Sequence, residues 1–159
     1  MKNIIIFGGS GFIGLHFINH LLINKNFNFI YSIDIEEPVD VFRKRQLTKL
    51  KKNKKIIFIK KDIKESLLDL NINDVDLIVD FAAIHKEPGH NEKEYFDTNV
   101  NGSKNICEFA ISVNCRNIIF TSSISVYGIG DHEKGEYTKP NPNTPYGKSK
   151  LIAEKNYLN

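Results

Sequence analysis

The chain has 159 residues, of which 41% are hydrophobic, enough for one globular domain with a substantial core and too few for two. Its 22 basic and 19 acidic residues give a formal net charge of only +3, and no basic-aromatic stripe indicates nucleic acid as a partner. Cys107 and Cys115 are isolated and lack metal-ligand spacing, and no apolar run suits a signal peptide or a membrane span. We therefore predict a cytoplasmic protein with reduced thiols, no bound metal and no membrane partner.

The first predicted elements are a buried parallel strand over 1–7 and an amphipathic helix over 12–22. The sequence GGSGFIG joins them, so Gly8, Gly11 and Gly14 lie at a strand-to-helix turn. Without a Cβ, these residues allow a tight turn and the close approach of a diphosphate. The amides of the helix N-terminus are then free to bind an anion.

The second predicted strand, 27–33, is followed at once by Asp34, twenty residues beyond Gly14. A carboxylate at this place can accept both hydrogen bonds of an adenosine ribose diol and would repel a 2′-phosphate. Strand, glycines, helix, strand and acid together predict a dinucleotide site that prefers NAD to NADP. The alternatives are a structural turn with a chance aspartate, and a basic run at 43–45 that reaches a 2′-phosphate instead of forming a solvated helix face.

The third strand is predicted over 56–59, after a solvated helix that begins near Pro38 and ends near Leu50. Asp62 and Ile63 follow this strand, where ligands of open α/β sheets bind. Asp62 is therefore a candidate neighbour of the adenine ring. It is equally a candidate N-cap for a predicted helix over 64–70, and the two roles are compatible.

The fourth strand, 74–81, leads into Ala82, Ala83, Ile84 and His85. The small residues allow a flat ring or a ribose to pack on the backbone, although they also suit a simple tight connection. His85 is a candidate contact to cofactor or substrate, or a solvated loop histidine.

A long helix over 92–113 comes next, followed by a fifth strand over 117–120. Thr98 and Asn99 interrupt the apolar pattern of the helix, so they either bond to neighbouring backbone or line the site. The predicted inner face consists of Tyr95, Phe96, Val100, Ile106, Phe109, Ala110 and Val113. The alternation of strands and helices predicts an α/β fold with a doubly wound parallel sheet.

The last predicted helix starts with Thr144 as N-cap and Pro145 at its first position. Tyr146 and Lys150 lie four residues apart and therefore on one face. Ionising a phenol at pH 7 costs about 4 kcal/mol, and a cation about 4 Å away at an effective dielectric of 20 offsets roughly that amount. With Ser123 at the end of the neighbouring strand, the pair is a candidate acid/base unit and not merely a surface pair.

Together these motifs resemble the extended short-chain dehydrogenase/reductases, in the branch of NAD-dependent nucleotide-sugar epimerases and dehydratases. The matching stretches are GGSGFIG at 8–14, Asp34, DI at 62–63, FAAIH at 81–85, TNVNG at 98–102, FTSSISVYG at 120–128 and YGKSK at 146–150. The resemblance implies a Rossmann-type fold, NAD as cofactor and a nucleotide sugar as substrate. It covers nearly the whole chain in the family's order.

The resemblance also implies a role for each matched residue. Tyr146 would be the acid/base acting on a sugar hydroxyl, Ser123 would hydrogen-bond the same oxygen, and Lys150 would bind the nicotinamide ribose and favour the phenolate. Hydride transfer would give a keto-sugar intermediate. The cofactor-binding residues would be Gly8, Gly11, Phe12, Ile13, Gly14, Asp34, Asp62, Ile63, Ala82, Ala83, Ile84, Thr98, Tyr146 and Lys150.

The dehydratases of the family have the sequence Thr-Asp-Glu at the positions that correspond to Ser123, Ile124 and Ser125 here. The chain lacks both carboxylates, so the resemblance implies an isomerase using oxidoreductase chemistry, with UDP-sugar 4-epimerase as first choice. A keto-sugar reductase and a non-catalytic NAD-binding module or remnant are the alternatives.

Family members run to about twice this length, so residues 1–159 are expected to be a partial NAD-binding Rossmann domain without the last strands and the C-terminal substrate domain. We expect the chain alone to bind NAD weakly and to lack turnover, and the full-length enzyme to be a homodimer.

Overall fold

The computed structural model describes residues 2–24, 26–130 and 133–158, and it contains one parallel five-stranded sheet of order β3-β2-β1-β4-β5. The strands are β1 (Asn3–Phe7), β2 (Ile30–Asp34), β3 (Ile56–Lys60), β4 (Val75–Asp80) and β5 (Ile118–Phe120). The predicted α/β fold with a Rossmann-type parallel sheet is therefore confirmed. Met1, the predicted start of the first strand, lies outside the described residues.

Helices cover both faces of the sheet. They are α1 (Phe12–Asn24), α2 (Val41–Leu50), α3 (Glu92–Tyr95), α4 (Gly102–Ser112) and α5 (Pro145–Leu158), with a π-helical segment (Phe96–Asn101) between α3 and α4 and a 3-10 turn (Ile124–Tyr127) after β5. Thr144 caps α5 as predicted, since its Oγ1 accepts a hydrogen bond from the Gly147 amide at 3.1 Å.

The pleat of β1 divides the core into two clusters. Ile5 and Phe7 pack in the cluster that includes Ile106 and Phe109 of α4, whereas Ile4 and Ile6 pack in the one that includes Leu15 and Ile18 of α1. Because successive side chains of a strand point to opposite faces, a continuously apolar strand is needed where both faces are covered. β1 is thereby held at the centre of the sheet, and its carboxyl end opens at the glycine turn.

The predicted helix over 64–70 is wrong, because this segment consists of turns. Asp62 does not cap a helix, but its Oδ1 accepts a hydrogen bond from the Lys64 amide at 2.9 Å. Asn105 of α4 donates to the Ile63 carbonyl at 2.7 Å and to the Glu65 carbonyl at 3.0 Å. These bonds from the next helix satisfy backbone carbonyls in place of a helical ladder.

The helix predicted over 92–113 is present with one change of geometry. Its middle turns are π-helical at 96–101, the place where Thr98 and Asn99 interrupt the apolar pattern. π-helical turns inserted into α-helices are frequently found at functional sites. The two residues are thus presented differently from neighbours on a regular helix.

Cys107 and Cys115 are free thiols, and burial raises the pKa of both. Among the described residues, no helix is both long and apolar enough to cross a bilayer.

Candidate functional site

The glycine turn is closely packed against the end of β4. Gly8 has a φ of +73°, and a Cβ added there would lie 2.7 Å from the Ala82 amide nitrogen. A Cβ on Gly14 would lie 2.7 Å from the Cα of Gly9. The turn therefore requires glycine on both sides, and it brings the N-terminus of α1 to the edge of the sheet, where its first amides have no intrahelical partners.

Asp34 points its carboxylate towards this turn. Its Oδ2 accepts a hydrogen bond from the Ser10 amide at 3.0 Å, and its Oδ1 accepts one from the Ile35 amide at 2.8 Å. Burial raises the pKa of Asp34, although the two amide bonds oppose that change. A carboxylate has about four lone-pair directions, so the Asp34 carboxylate keeps acceptor capacity for a ligand hydroxyl.

One cavity of about 840 Å³ extends along the carboxyl edge of the sheet, a size in the range of small-molecule sites. The structure brings every predicted cofactor-binding residue to its wall. These are Gly8, Gly11, Phe12, Ile13, Gly14, Asp34, Asp62, Ile63, Ala82, Ala83, Ile84, Thr98, Tyr146 and Lys150. Residues from β1 to α5 meet there because parallel strands present their carboxyl ends at one edge.

Asn99 fixes the middle of the cavity wall. Its side chain accepts from the Ile84 amide at 2.9 Å, donates to the Ile84 carbonyl at 3.1 Å and donates to Ser149 Oγ at 2.9 Å. The Ser149 hydroxyl in turn donates to the Tyr146 carbonyl at 2.8 Å. Asn99 thus bonds to backbone while Thr98 lines the cavity, so each sequence alternative holds for one of the two residues.

Tyr146 and Lys150 share the cavity wall on the first turns of α5. Lys150 is only 2% exposed, and its Nζ lies 4.0 Å from the centroid of the Phe120 ring. Burial lowers the pKa of Lys150 to about 8, and the nearby Asp80 charge opposes this effect. The Tyr146 ring centroid lies 6.1 Å from that of Tyr95, which supports the phenol from the side of α3.

Ser123 lies just beyond the cavity wall, which includes Thr121 and Ser122 instead. Its Oγ accepts a hydrogen bond from the Ser125 amide at 3.2 Å and caps the 3-10 turn. Among the residues that the structure describes, the Ser123 hydroxyl proton has no acceptor, so it can donate to a ligand. Its assignment as a catalytic residue remains a prediction.

Several residues that line the cavity were not predicted as site residues from the sequence: Ile35, Lys61, Lys64, Phe81, Thr121 and Ser122. Most of them directly follow a strand, so the rule that ligands bind at strand carboxyl ends could have found them. His85 also lines the cavity, as does Arg43, which pairs with the Asp40 carboxylate. One residue of the basic run at 43–45 therefore lines the cavity, and this residue, Arg43, already forms a salt bridge with Asp40.

Comparison with known proteins decides the family. Residues 5–159 match the profile of the 3-beta hydroxysteroid dehydrogenase/isomerase family. The chain belongs to this family. The predicted resemblance to extended short-chain dehydrogenase/reductases of the NAD-dependent nucleotide-sugar epimerase/dehydratase branch is therefore confirmed.

Curated proteins similar in sequence support the same branch. A bifunctional UDP-glucose 4-epimerase and UDP-xylose 4-epimerase of Arabidopsis thaliana is 33% identical over 96% of this chain and 46% of its own length. A UDP-glucose 4-epimerase of Neisseria meningitidis is 32% identical over 98% of this chain and 47% of its own length. The chain spans about half the length of these relatives.

A similar solved structure has the same fold. The UDP-glucuronic acid 4-epimerase of Bacillus cereus, crystallised with NAD, superposes with a TM-score of 0.84 at 28% identity, covering 97% of this chain and 50% of that one.

Proposed function

We propose that this chain is the NAD-binding part of a nucleotide-sugar epimerase, with a UDP-sugar 4-epimerase as the preferred assignment. The observation that carries the proposal is that the glycine turn, Asp34, Tyr146 and Lys150 all line one cavity. A module that only binds a dinucleotide has no need for a phenol beside a buried ammonium group. The 4-epimerases among its relatives support the choice of reaction.

The cavity suits a dinucleotide at both ends. The glycine turn leaves no room for a Cβ at Gly8 or Gly14, so backbone amides of Phe12 and Ile13 can approach a diphosphate. The Asp34 carboxylate would receive the adenosine ribose hydroxyls, because it faces the same turn. When bound, NAD would supply reversible hydride transfer at a sugar carbon.

The reactive end is formed by α5. Lys150 carries its charge in a buried place, where an ammonium group acts more strongly on a neighbour than it does in water. In its charged form it would favour the phenolate of Tyr146, one turn earlier, and bind ribose oxygens. Tyr146 would remove the proton of a sugar hydroxyl and later return it. Ser123 would donate to the same sugar oxygen with its free proton.

A dehydratase is a less suitable assignment. The positions that carry an acid pair in those enzymes are Ile124 and Ser125 here. The Ile124 side chain is 68% exposed and has no proton to transfer. A keto-sugar reductase would use the same acid/base pair, so only product analysis separates it from an epimerase.

Calorimetry with NAD and NADP tests the cofactor assignment on the 159-residue chain, where we expect weak binding with a preference for NAD. Turnover is tested on a version that includes any further sequence encoded by the gene, with UDP-glucose and UDP-galactose as probes. Tyr146→Phe should abolish turnover and retain NAD binding. Turnover equal to that of the unmodified enzyme would refute the role of the tyrosine, and NAD binding without any turnover would favour the non-catalytic module.

A further inference from the structure

A buried carboxylate lies behind the Tyr146 and Lys150 pair and takes no part in the function proposed above. Asp80 is the last residue of β4 and is only 3% exposed. Its Oδ2 accepts a hydrogen bond from the Tyr157 hydroxyl at 2.7 Å, and its Oδ1 accepts one from the Ala82 amide at 2.9 Å. Buried acids are rare unless they are paired, so this group requires an explanation.

The same face of α5 carries both Lys150 and the tyrosine that holds Asp80. Tyr146, Lys150 and Tyr157 are spaced by four and seven residues, which places them along one stripe of a helix. The Tyr157 ring packs on Phe120 with centroids 4.8 Å apart, and Lys150 Nζ lies 4.0 Å from the centroid of that ring. Asp80, Tyr157, Phe120 and Lys150 therefore form one buried cluster at the carboxyl ends of β4 and β5.

Asp80 and Lys150 each favour the charged form of the other. Burial lowers the pKa of Lys150 to about 8, and the charge of Asp80 is the largest influence that raises it, ahead of Glu154 on the same helix. Burial raises the pKa of Asp80 to about 6, whereas the Tyr157 hydrogen bond and the charge of Lys150 lower it. Besides burial, the charge of Asp80 also raises the pKa of two further described groups, the Tyr157 hydroxyl and the Cys107 thiol on α4. Between the pKa values of Asp80 and Lys150, both members of the pair are charged.

We propose that Asp80 is a positioning residue that keeps the Lys150 ammonium group protonated inside the cavity, and that the Tyr157 hydroxyl holds the Asp80 carboxylate in place for this purpose. The inference rests on the proposed function, in which Lys150 acts as a cation beside Tyr146. Without Asp80, Lys150 would lose its proton closer to neutral pH. The phenolate of Tyr146 would then lose the neighbouring positive charge at the alkaline end of the pH range in which the enzyme is active.

The test is a direct titration of Lys150 by NMR. The 159-residue chain is labelled with ε-13C lysine, and the Lys150 signal is assigned by its loss in Lys150→Arg. In the unmodified chain the signal should titrate near pH 8 and show a second inflection near pH 6, where Asp80 ionises. In Asp80→Asn the second inflection should vanish and the Lys150 midpoint should fall by more than about half a unit.

Two variants serve as controls. Asp76→Asn makes the same substitution on the same strand, but Asp76 has a side chain 58% exposed and pairs with Lys2, so the Lys150 titration should be unchanged. Glu154→Gln should lower the Lys150 midpoint by less than Asp80→Asn does, because Glu154 is the weaker influence. A larger fall in Glu154→Gln would overturn the proposal.

Tyr157→Phe covers the case in which Asp80→Asn fails to fold, since it keeps the ring on Phe120 and removes only the hydroxyl. The inflection near pH 6 should then move to higher pH, because Asp80 loses a hydrogen bond that favours its charged form. An inflection that is absent from the unmodified chain, or unmoved in Tyr157→Phe, would overturn the proposal. Since no cofactor or substrate is added, this failure is distinct from a failure to bind NAD.

Discussion

Replacing Gly8 with alanine should destabilise the fold more than an ordinary glycine substitution does. Gly8 has a φ of +73°, and the added Cβ would lie 2.7 Å from both the Ala82 nitrogen and the Phe81 carbonyl carbon. Left-handed backbone costs a non-glycine residue about 1–2 kcal/mol, and overpacking typically costs about 1–3 kcal/mol. Both neighbouring atoms belong to backbone at the end of β4, which has little freedom to move aside. The expected loss is therefore roughly 2–5 kcal/mol.

Urea unfolding followed by circular dichroism measures this loss. Gly135→Ala is the matched control, because no described heavy atom beyond its two chain neighbours lies within 4 Å of a Cβ built there, and its effect should stay within about 0.5 kcal/mol. The Gly8 variant should also bind NAD more weakly, because Ala82 lines the cavity. If Gly8→Ala and Gly135→Ala have the same free energy of unfolding, the turn can relax, and its tight contact with the end of β4 does not require glycine.

Three further predictions concern charge and buried polar groups. Asp34→Asn should weaken NAD binding roughly 10- to 100-fold, because a hydrogen bond to a charged group is worth about 1.5–3 kcal/mol. It should weaken NADP binding less. Equal losses of affinity for NAD and NADP in calorimetry would contradict the assignment of Asp34 to the adenosine ribose. The pKa of Asp80 is raised to about 6 from the ordinary 3.8, so the folded chain binds this proton more tightly than the unfolded chain and loses stability as pH rises between those values. At 1.36 kcal/mol per pKa unit, the unmodified chain loses roughly 3 kcal/mol of stability in this way. The excess of its free energy of unfolding over that of Asp80→Asn should therefore fall by about this amount between pH 4 and pH 7. A difference that does not change with pH would count against ionisation of a buried Asp80. Ser149→Ala should lower the free energy of unfolding by about 1–3 kcal/mol, because one Asn99 N–H is left buried without its partner. The control Ser66→Ala changes an exposed residue and should leave the urea midpoint unchanged. Equal midpoints for the two variants would refute the contribution of the bond between Asn99 and Ser149.

The order of strands and helices followed from local sequence patterns. β1 is a continuous apolar run that ends at glycine, and such a run requires cover on both faces of a parallel sheet. The cap of α5 was equally local, since Thr144 and Pro145 are the residues that a helix start prefers. These features depend on neighbours in the chain and can be predicted without tertiary contacts.

The segment after β3 shows where local patterns fail. A helix predicted over 64–70 is replaced by turns, and Asn105 of α4 donates hydrogen bonds to the Glu65 carbonyl within this segment and to the Ile63 carbonyl just before it. A donor some forty residues away is invisible to any pattern within the segment. The π-helical turn at 96–101 was marked in the sequence only by polar residues in an apolar stripe, and Asn99 within it bonds to the distant residues Ile84 and Ser149.

The sequence by itself determined the parallel α/β fold, the glycine turn, the acid at the end of β2 and the spacing of Tyr146 and Lys150, because each follows from neighbouring residues. Only the tertiary structure decided that Lys150 is buried on Phe120, that Asp80 shares its cluster through Tyr157, and that Ser122 rather than Ser123 lines the cavity. The physical reason is that burial and through-space charge depend on which elements pack together. The edge of the sheet collects those residues from distant parts of the chain.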